Sequence, residues 1–471
     1  MKYLILPITL VALLLSGCGQ KTETPKNVLV FLVDDLGWKD LGCYGSTFYE
    51  SPSIDAFANG ATRFTSAYTP NPVCSPTRAA IMTGRYPSRV NITDWIPGKS
   101  EPDSKLVTPE DGYELALAEV TIAEVLKEHG YQTFYAGKWH LGGDGFLPQD
   151  QGFDINKGGH EKGSPPGGYY APFKNPQLED KPDDHYLTDR FTDECIEFLN
   201  TRDREKPFLL YMAYHTVHTP IQGWDKYDAY FEEKKKQLPN GGEIETRIEH
   251  EGVTRLNQSD HMYAAMVRAL DTSVGRILAE LEAQGLADDT TVIFTSDNGG
   301  LTTLARPGPT AEVPLRAGKG WCYEGGIRVP LIIRVPGTEM TGTTIDTPAI
   351  SMDFFPTILD LAGLPSRPDL HKDGVSLKPL LEGKSIQPRP LFWHYPHYHG
   401  STWTPGAAIR DGDWKLIQFY EYDQVELYNV KEDIEEKNEL SQKYPEKTAE
   451  LLAKLKAMQT ETGSKLPYPR T

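Results

Sequence analysis

Four short apolar runs each lead directly into residues able to do chemistry. Val28–Val33 runs into Asp34-Asp35, and Thr291–Thr295 runs through Ser296 into Asp297-Asn298 and two glycines. Tyr131–Tyr135 leads to Gly137-Lys138-Trp139-His140, and Phe208–Met212 leads to His215 and then His218-Thr-Pro. Two of these junctions supply hard anionic oxygens and two supply cations and imidazoles. Gathered together, they could hold a metal ion and neutralise an anionic substrate. Taken singly, each has a plainer reading. An Asp-Asp pair after a strand is common in loops and caps, Asp-Asn-Gly is a turn signal, and His218 or Lys138 would serve as ordinary surface groups.

Cys74 begins the run Cys-Ser-Pro-Thr-Arg-Ala-Ala-Ile-Met-Thr-Gly-Arg-Tyr-Pro, which ends at Pro87. Pro76 suits the first turn of a helix, which puts Cys74 at the helix mouth. Unpaired N–H groups there favour an anion, and Arg78, one turn on, can point its guanidinium back to the same spot. These features alone fit a reactive thiol and a structural one equally, since free Cys is among the most often buried residue types. The run from Cys74 to Pro87 closely resembles the maturation signature of the type I sulfatases of the alkaline phosphatase superfamily. Its Cys-x-Pro-x-Arg core is what a formylglycine-installing enzyme reads.

The resemblance continues in order along nearly the whole mature chain. It implies that Asp34, Asp35, Asp297 and Asn298 hold one calcium ion together with an oxygen of the modified Cys74, and that Arg78 stands beside the nucleophile. It also matches Lys138, His140, His218 and the Lys319 of Gly-Lys-Gly-Trp-Cys-Tyr-Glu-Gly-Gly to sulfate-binding and catalytic positions. Three carboxylates and an amide oxygen are hard ligands, which favours calcium, with magnesium as the alternative. In the implied mechanism hydrated formylglycine is a geminal diol, one hydroxyl of which attacks sulfur. The resulting sulfo-enzyme collapses to the aldehyde when the second hydroxyl loses its proton, and sulfate leaves. His140 is then the partner of the diol, His218 the general acid toward the leaving alcohol, and Lys138 and Lys319 the clamps on sulfate oxygens.

The elements that must position these groups read as an α/β fold, with a large central, mostly parallel sheet flanked by helices, alkaline phosphatase-like by the resemblance. Ligands gather outside the carboxyl ends of the strands in such sheets, so the four junctions could meet in one pocket. Helices are expected over 121–129, stopping at Gly130, and over 259–284. A final helix over 351–362 is followed by the break Gly363-Leu-Pro365, which divides a catalytic domain, 28–365, from a C-terminal subdomain, 366–471. The latter reads as antiparallel strands at 391–395, 407–418 around the turn signal Asp411-Gly412, and 425–430, then a polar helix from 445 to 458.

Lys2, the apolar stretch Leu4–Leu15 and the tetrapeptide ending at Cys18 resemble a bacterial lipoprotein signal. Residues 1–18 are therefore expected to direct export and lipid attachment at Cys18, and 19–27 to form a tether. That places the protein in the periplasm, or at the outer membrane or cell surface, with membrane contact only through the lipid. A formal charge of -18, from 48 Lys+Arg against 66 Asp+Glu, argues against a nucleic-acid partner. Cys43, Cys74, Cys195 and Cys322 form no Cys-x-x-Cys pair, so neither a thiolate zinc site nor a disulfide is assumed.

The expected partners are the maturation enzyme and a sulfated carbohydrate, attacked at chain ends, with galactose or N-acetylgalactosamine sulfates preferred. His394, His397 and Trp403, and more remotely His160, His185 and Arg190, are candidates for the substrate rim. Two rivals remain at this level. One is a phosphomonoester or phosphonate hydrolase of the same superfamily; the other is a lipid-anchored glycan-binding protein without activity.

Overall fold

The computed structural model describes residues 27–99 and 101–471. The leader, Cys18 and the tether up to residue 26 lie outside the described residues; Asn27, assigned to the tether above, is the first residue of a strand. Among the described residues no helix is long and apolar enough to cross a membrane.

Eight strands form the central sheet: β1 (Asn27–Val33), β2 (Thr62–Phe64), β3 (Gln132–Gly137), β4 (Ile155–Lys157), β5 (Phe208–Ala213), β6 (Thr290–Ser296), β7 (Leu331–Arg334) and β8 (Thr344–Ile345). Their spatial order is β8-β2-β7-β6-β1-β5-β3-β4. β6, β1, β5, β3 and β4 are successive parallel neighbours, whereas β7 runs antiparallel to both β6 and β2. Because β6, β1, β5 and β3 share one direction, the four reactive junctions emerge at one edge of the sheet.

Alternation along the strands separates two cores. Leu29, Phe31 and Val33 of β1 face one side with Leu210, Met212 and Phe294. Val28, Val30 and Leu32 face the other with Leu209, Tyr211 and Ile293. Both faces being apolar, the strand reads as a continuous hydrophobic run, as buried parallel strands do. On the first side lie α3 (Leu187–Thr201) and α4 (His261–Ala283); on the second lie α1 (Cys74–Thr83), α2 (Ile122–Glu128) and α5 (Phe354–Leu361). α2 starts with a capping box between Thr121 and Glu124. The cap of α4 is Asp260, one residue beyond the Ser259 expected from the sequence.

The C-terminal subdomain is a four-stranded antiparallel sheet in sequence order: β9 (Leu391–Tyr395), β10 (Gly406–Asp411), β11 (Trp414–Phe419) and β12 (Gln424–Asn429). Helix α6 (Pro445–Thr462) follows; it is longer than expected and ends at Gly463 in a left-handed conformation, φ 69°. A third core, including Trp321, Tyr323, Trp393, Trp403 and Phe419, joins this sheet to the segment after Lys319.

Candidate active site

Cys74 is the first residue of α1, a helix in which every residue is buried. Its N-cap, Val73, offers no side chain, and Asn71 does the fastening instead. The Asn71 carbonyl accepts from Thr77 Oγ1 at 3.0 Å, and its side-chain oxygen accepts from the Val73 amide at 3.3 Å. Cys74 is only 2% exposed, yet it does not point into apolar packing, because its Sγ lies 3.4 Å from His140 Nδ1. His140 Nε2 donates to the Ile96 carbonyl at 2.5 Å, so in the neutral ring the Nδ1 lone pair faces residue 74.

The acidic junctions of β1 and β6 are in direct contact, since the Asp35 amide donates to Asp297 Oδ1 at 3.2 Å. Each carboxylate is held by a cation from a different part of the chain. Lys138 Nζ donates to both oxygens of Asp34, at 2.9 and 2.8 Å. Arg78 Nε donates to Asp297 Oδ2 at 2.8 Å, and its Nη1 donates to the Lys138 carbonyl at 2.7 Å. Lys319 Nζ is 2.6 Å from Asp35 Oδ1, which also accepts from Asn298 Nδ2 at 2.8 Å. His218 Nε2 lies 3.8 Å from Asp35 Oδ2, too far for a hydrogen bond.

Three buried carboxylates thus face Arg78, Lys138 and Lys319 within one constellation. Asp34, Asp35 and His218 offer ligand atoms that all lie within 4.8 Å of one another, so the cluster could hold a metal ion. Asn298 adds to that fit: its Oδ1 is buried and has no hydrogen-bond partner among the described residues, the kind of orphaned acceptor that a cation satisfies. The backbone approaches closely to allow this. A Cβ on Gly299 would lie 1.8 Å from the Gly325 carbonyl oxygen, so no other residue fits after Asn298 without moving that loop.

Electrostatics follow from burial plus this fixed charge. Burial works to raise Asp297 and Asp35, but Arg78 and Lys138 outweigh it at Asp297, and Lys319, with Lys138 behind it, at Asp35, so both stay below the ordinary carboxylate range. His140 is pushed well below the usual imidazole value by burial and then by Lys138. His218 falls to about 3, from burial first and Lys319 second, despite the opposing pull of Asp35. Both rings therefore rest neutral.

The rim is where sequence and structure part. Trp403 is 1% exposed and packs edge-on against Trp321, so it belongs to the third core and has no free face for a sugar. His394 turns into the C-terminal subdomain, with Nδ1 3.1 Å from the Tyr420 hydroxyl and Nε2 2.9 Å from the Lys465 carbonyl. Arg190 is buried on α3 in ion pairs with Asp184 and Glu194. His185 pairs with Asp225 at 3.0 Å, and both side chains are solvated. None of these four joins the constellation.

His160 stands behind His140, whose amide donates to the His160 carbonyl at 3.0 Å. His397 lies beside the site, its Nε2 2.8 Å from Thr93 Oγ1 and its Nδ1 3.9 Å from Asp94 Oδ2. Sequence reasoning passed over Asp94 and the Ile96 carbonyl, both of which belong to this neighbourhood. A lone acid and a backbone oxygen carry no motif that could have flagged them. A cavity of about 540 Å³ is lined by Arg328, Arg389 and Arg410. No member of the constellation lines it, so the site is defined by its convergent groups and not by cavity size.

Comparison with known proteins identifies the family. The profile of the sulfatase family matches residues 26–364, and that of the N-sulphoglucosamine sulphohydrolase C-terminal region matches residues 317–463. A sulfatase of Formosa agariphila is 32% identical, with 95% of this chain and 91% of that protein covered. The N-acetylgalactosamine-6-sulfatase of Rattus norvegicus is 32% identical over 85% of this chain and 73% of its own length. Among solved structures, Ps i-CgsB in complex with k-i-k-neocarrahexaose superposes with a TM-score of 0.75 at 27% identity, covering 93% of each chain. With the junctions meeting around residue 74, and with similarity running the length of the fold, the chain belongs to the sulfatase family and is a sulfuric ester hydrolase.

Proposed function

We propose that this protein removes sulfate from a sulfated carbohydrate at chain ends, with galactose or N-acetylgalactosamine sulfates as the preferred substrates, and that Cys74 works as formylglycine. The observation that carries the reading is the pairing of residue 74 with the free Nδ1 of a neutral His140, at the mouth of a helix and beside three cations. The carbohydrate part is supported by the names of relatives, an N-acetylgalactosamine-6-sulfatase and a neighbour bound to a neocarrahexaose. Export and lipid attachment at Cys18 rest on the leader sequence.

The hydrated aldehyde of formylglycine supplies an oxygen nucleophile and a second hydroxyl whose deprotonation releases sulfate. The chain's own residues do the rest. His140 Nδ1 holds and takes a proton from a hydroxyl on residue 74. Lys138 and Lys319, now paired with Asp34 and Asp35, bind sulfate oxygens and stabilise the charge on them in the transition state. His218 donates its Nδ1 proton to the Thr219 carbonyl at 2.7 Å, which leaves Nε2 as the position open to the site. Delivery of a proton from Nε2 to the leaving alcohol requires the imidazolium form, which a bound anion favours and Lys319 opposes.

Asp34, Asp35, Asp297 and Asn298 are the residues that would hold calcium, which supplies Lewis-acid polarisation of the nucleophile and of sulfate. Chelation is expected to abolish turnover and to lower the melting temperature, with calcium restoring both. Asn298→Ala should weaken that calcium-dependent thermal shift at least tenfold in midpoint concentration. A chelated protein that keeps its melting temperature and its activity would refute the metal assignment.

The function is tested on full-length protein co-expressed with a maturing enzyme. A peptide covering Cys74 should be lighter by about 18 Da than the cysteine form, as replacement of CH2SH by CHO requires. Defined sulfated mono- and oligosaccharides should be turned over at chain ends, and 4-nitrophenyl sulfate far faster than 4-nitrophenyl phosphate. An unmodified thiol in fully active protein, or preference for the phosphate, would overturn the proposal; binding without turnover would favour the glycan-binding rival.

A further inference from the structure

Asp94 and His399 each leave one polar atom uncommitted, and both adjoin Tyr395. Asp94 Oδ1 accepts from the Tyr395 hydroxyl at 2.9 Å and from the Trp95 amide at 2.8 Å. No hydrogen bond reaches Oδ2 among the described residues, and the nearest cationic candidate, His397 Nδ1, is 3.9 Å away. Gly98 keeps the approach clear, since a Cβ there would stand 3.0 Å from Oδ2. The same loop reaches the reaction centre: the Ile96 amide donates to Ser75 Oγ at 3.1 Å, and the Ile96 carbonyl holds His140.

His399 sits across Tyr395, with ring centroids 6.2 Å apart. It lies directly over the residue after Lys319, because a Cβ on Gly320 would fall 2.1 Å from His399 Nδ1. That nitrogen accepts from the Ser401 amide at 3.1 Å and lies 2.8 Å from Ser401 Oγ. The ring proton is therefore on Nε2, which has no partner among the described residues, and the side chain is half-buried. The charges of Lys319 and Asp35 are both felt at this ring, and burial and Lys319 keep it neutral. Burial likewise pushes Asp94 up to about 8, and Cys74 is among the groups that it senses.

We infer that Asp94 Oδ2 and His399 Nε2 form a specificity site that holds free hydroxyls of the pyranose ring bearing the scissile sulfate. This rests on the carbohydrate reading above and names the groups that would select the sugar. A sugar hydroxyl both donates and accepts, so it fits the Nε2 proton of His399 and either protonation state of Asp94. A site built to hydrogen-bond a hydroxyl discriminates strongly against an analogue lacking it, because the buried partner is left unpaired. A simple aryl sulfate has no such hydroxyl to offer.

The test compares kcat/KM for a methyl glycoside sulfate, chosen as the best substrate of the wild type, with that for 4-nitrophenyl sulfate. For His399→Phe and Asp94→Ala the ratio between the two substrates should fall by about 10- to 100-fold. His399→Gln, which can return a donor, should recover part of the loss. Deoxy analogues of the glycoside supply the cross-check: removing the contacted hydroxyl should cost the wild type about what His399→Phe costs, with little further loss when the two changes are combined. Equal falls on both substrates, or an unchanged ratio in variants with wild-type melting temperature, would overturn the inference and leave the carbohydrate reading standing. A wild type that hydrolyses aryl sulfate but none of the sulfated sugars would overturn both.

Discussion

Cys74→Ala and Cys74→Ser should both lose activity on 4-nitrophenyl sulfate by on the order of 10⁴- to 10⁶-fold, the scale seen when a covalent nucleophile is removed. Alanine offers no nucleophile, so its loss is expected of any mechanism through residue 74. Serine is the informative substitution. It is nearly the size of cysteine, it would sit at the same buried helix mouth beside His140, and it can attack with its single hydroxyl. It lacks the second hydroxyl from which His140 would draw a proton, so a sulfated serine has no internal route to release sulfate. A small burst without turnover, at an unchanged melting temperature, is the expected signature. Serine protein that keeps a tenth of wild-type turnover, in a host whose maturing enzyme acts only on cysteine, would sink the diol reading, and an ordinary alkoxide or thiolate mechanism would replace it.

How much could be read beforehand depended on whether a group's partner lay in its own local pattern. The four junctions were legible because each follows a β-rich run, and parallel neighbours β6, β1, β5 and β3 necessarily deliver their carboxyl ends to one edge. The same logic recovered the hairpin at Asp411-Gly412 and the ends of α2, whose capping residues lie within a few positions of one another. It could not tell that β7 enters antiparallel, since strand direction leaves no trace in composition.

The rim was opaque for a related reason. His394, His397 and His399 alternate along the chain, but their neighbours are Tyr420 and Lys465, Thr93, and Gly320, all far off in sequence. Aromatic residues such as Trp403 read alike whether they line a cleft or fill a core. Here the facing Trp321 and Phe419 place it in the core. Arg190, a remote candidate for the rim, is an internal partner of Glu194 one helical turn on.

Lys415→Met should destabilise the fold by about 3–5 kcal/mol, the cost of breaking a buried ion pair from one side. Lys415 on β11 is wholly buried, with Nζ 3.0 Å from Glu324 and 2.9 Å from Glu436. Glu324 has other support: its Oε2 accepts from the Tyr68 hydroxyl at 2.7 Å and from Arg328 Nη1 at 3.2 Å, and Lys415, Arg328 and Arg410 together outweigh burial to hold it at about 2. Glu436 has less, and burial raises it to about 7 in spite of Lys415.

The two acids therefore give opposite pH dependences. Glu324, with its pKa depressed, stabilises the fold above its unfolded value near 4.5, and that contribution is lost as pH falls toward about 2. Glu436 is raised, so its protonated form suits the fold, and stability declines as pH climbs from about 4.5 through about 7. Glu436→Gln removes only the second effect, so its stability relative to wild type should improve steadily between pH 5 and pH 8, read by denaturant unfolding across roughly that window. Lys415→Met should show the reverse trend, because it leaves Glu436 without its cation. Flat, parallel stability curves for all three proteins would mean that the cluster is not a buried ionised network. The consequence for function is direct: Glu324 follows Lys319 by five positions, so this cluster anchors the C-terminal sheet to the segment that carries the proposed sulfate clamp.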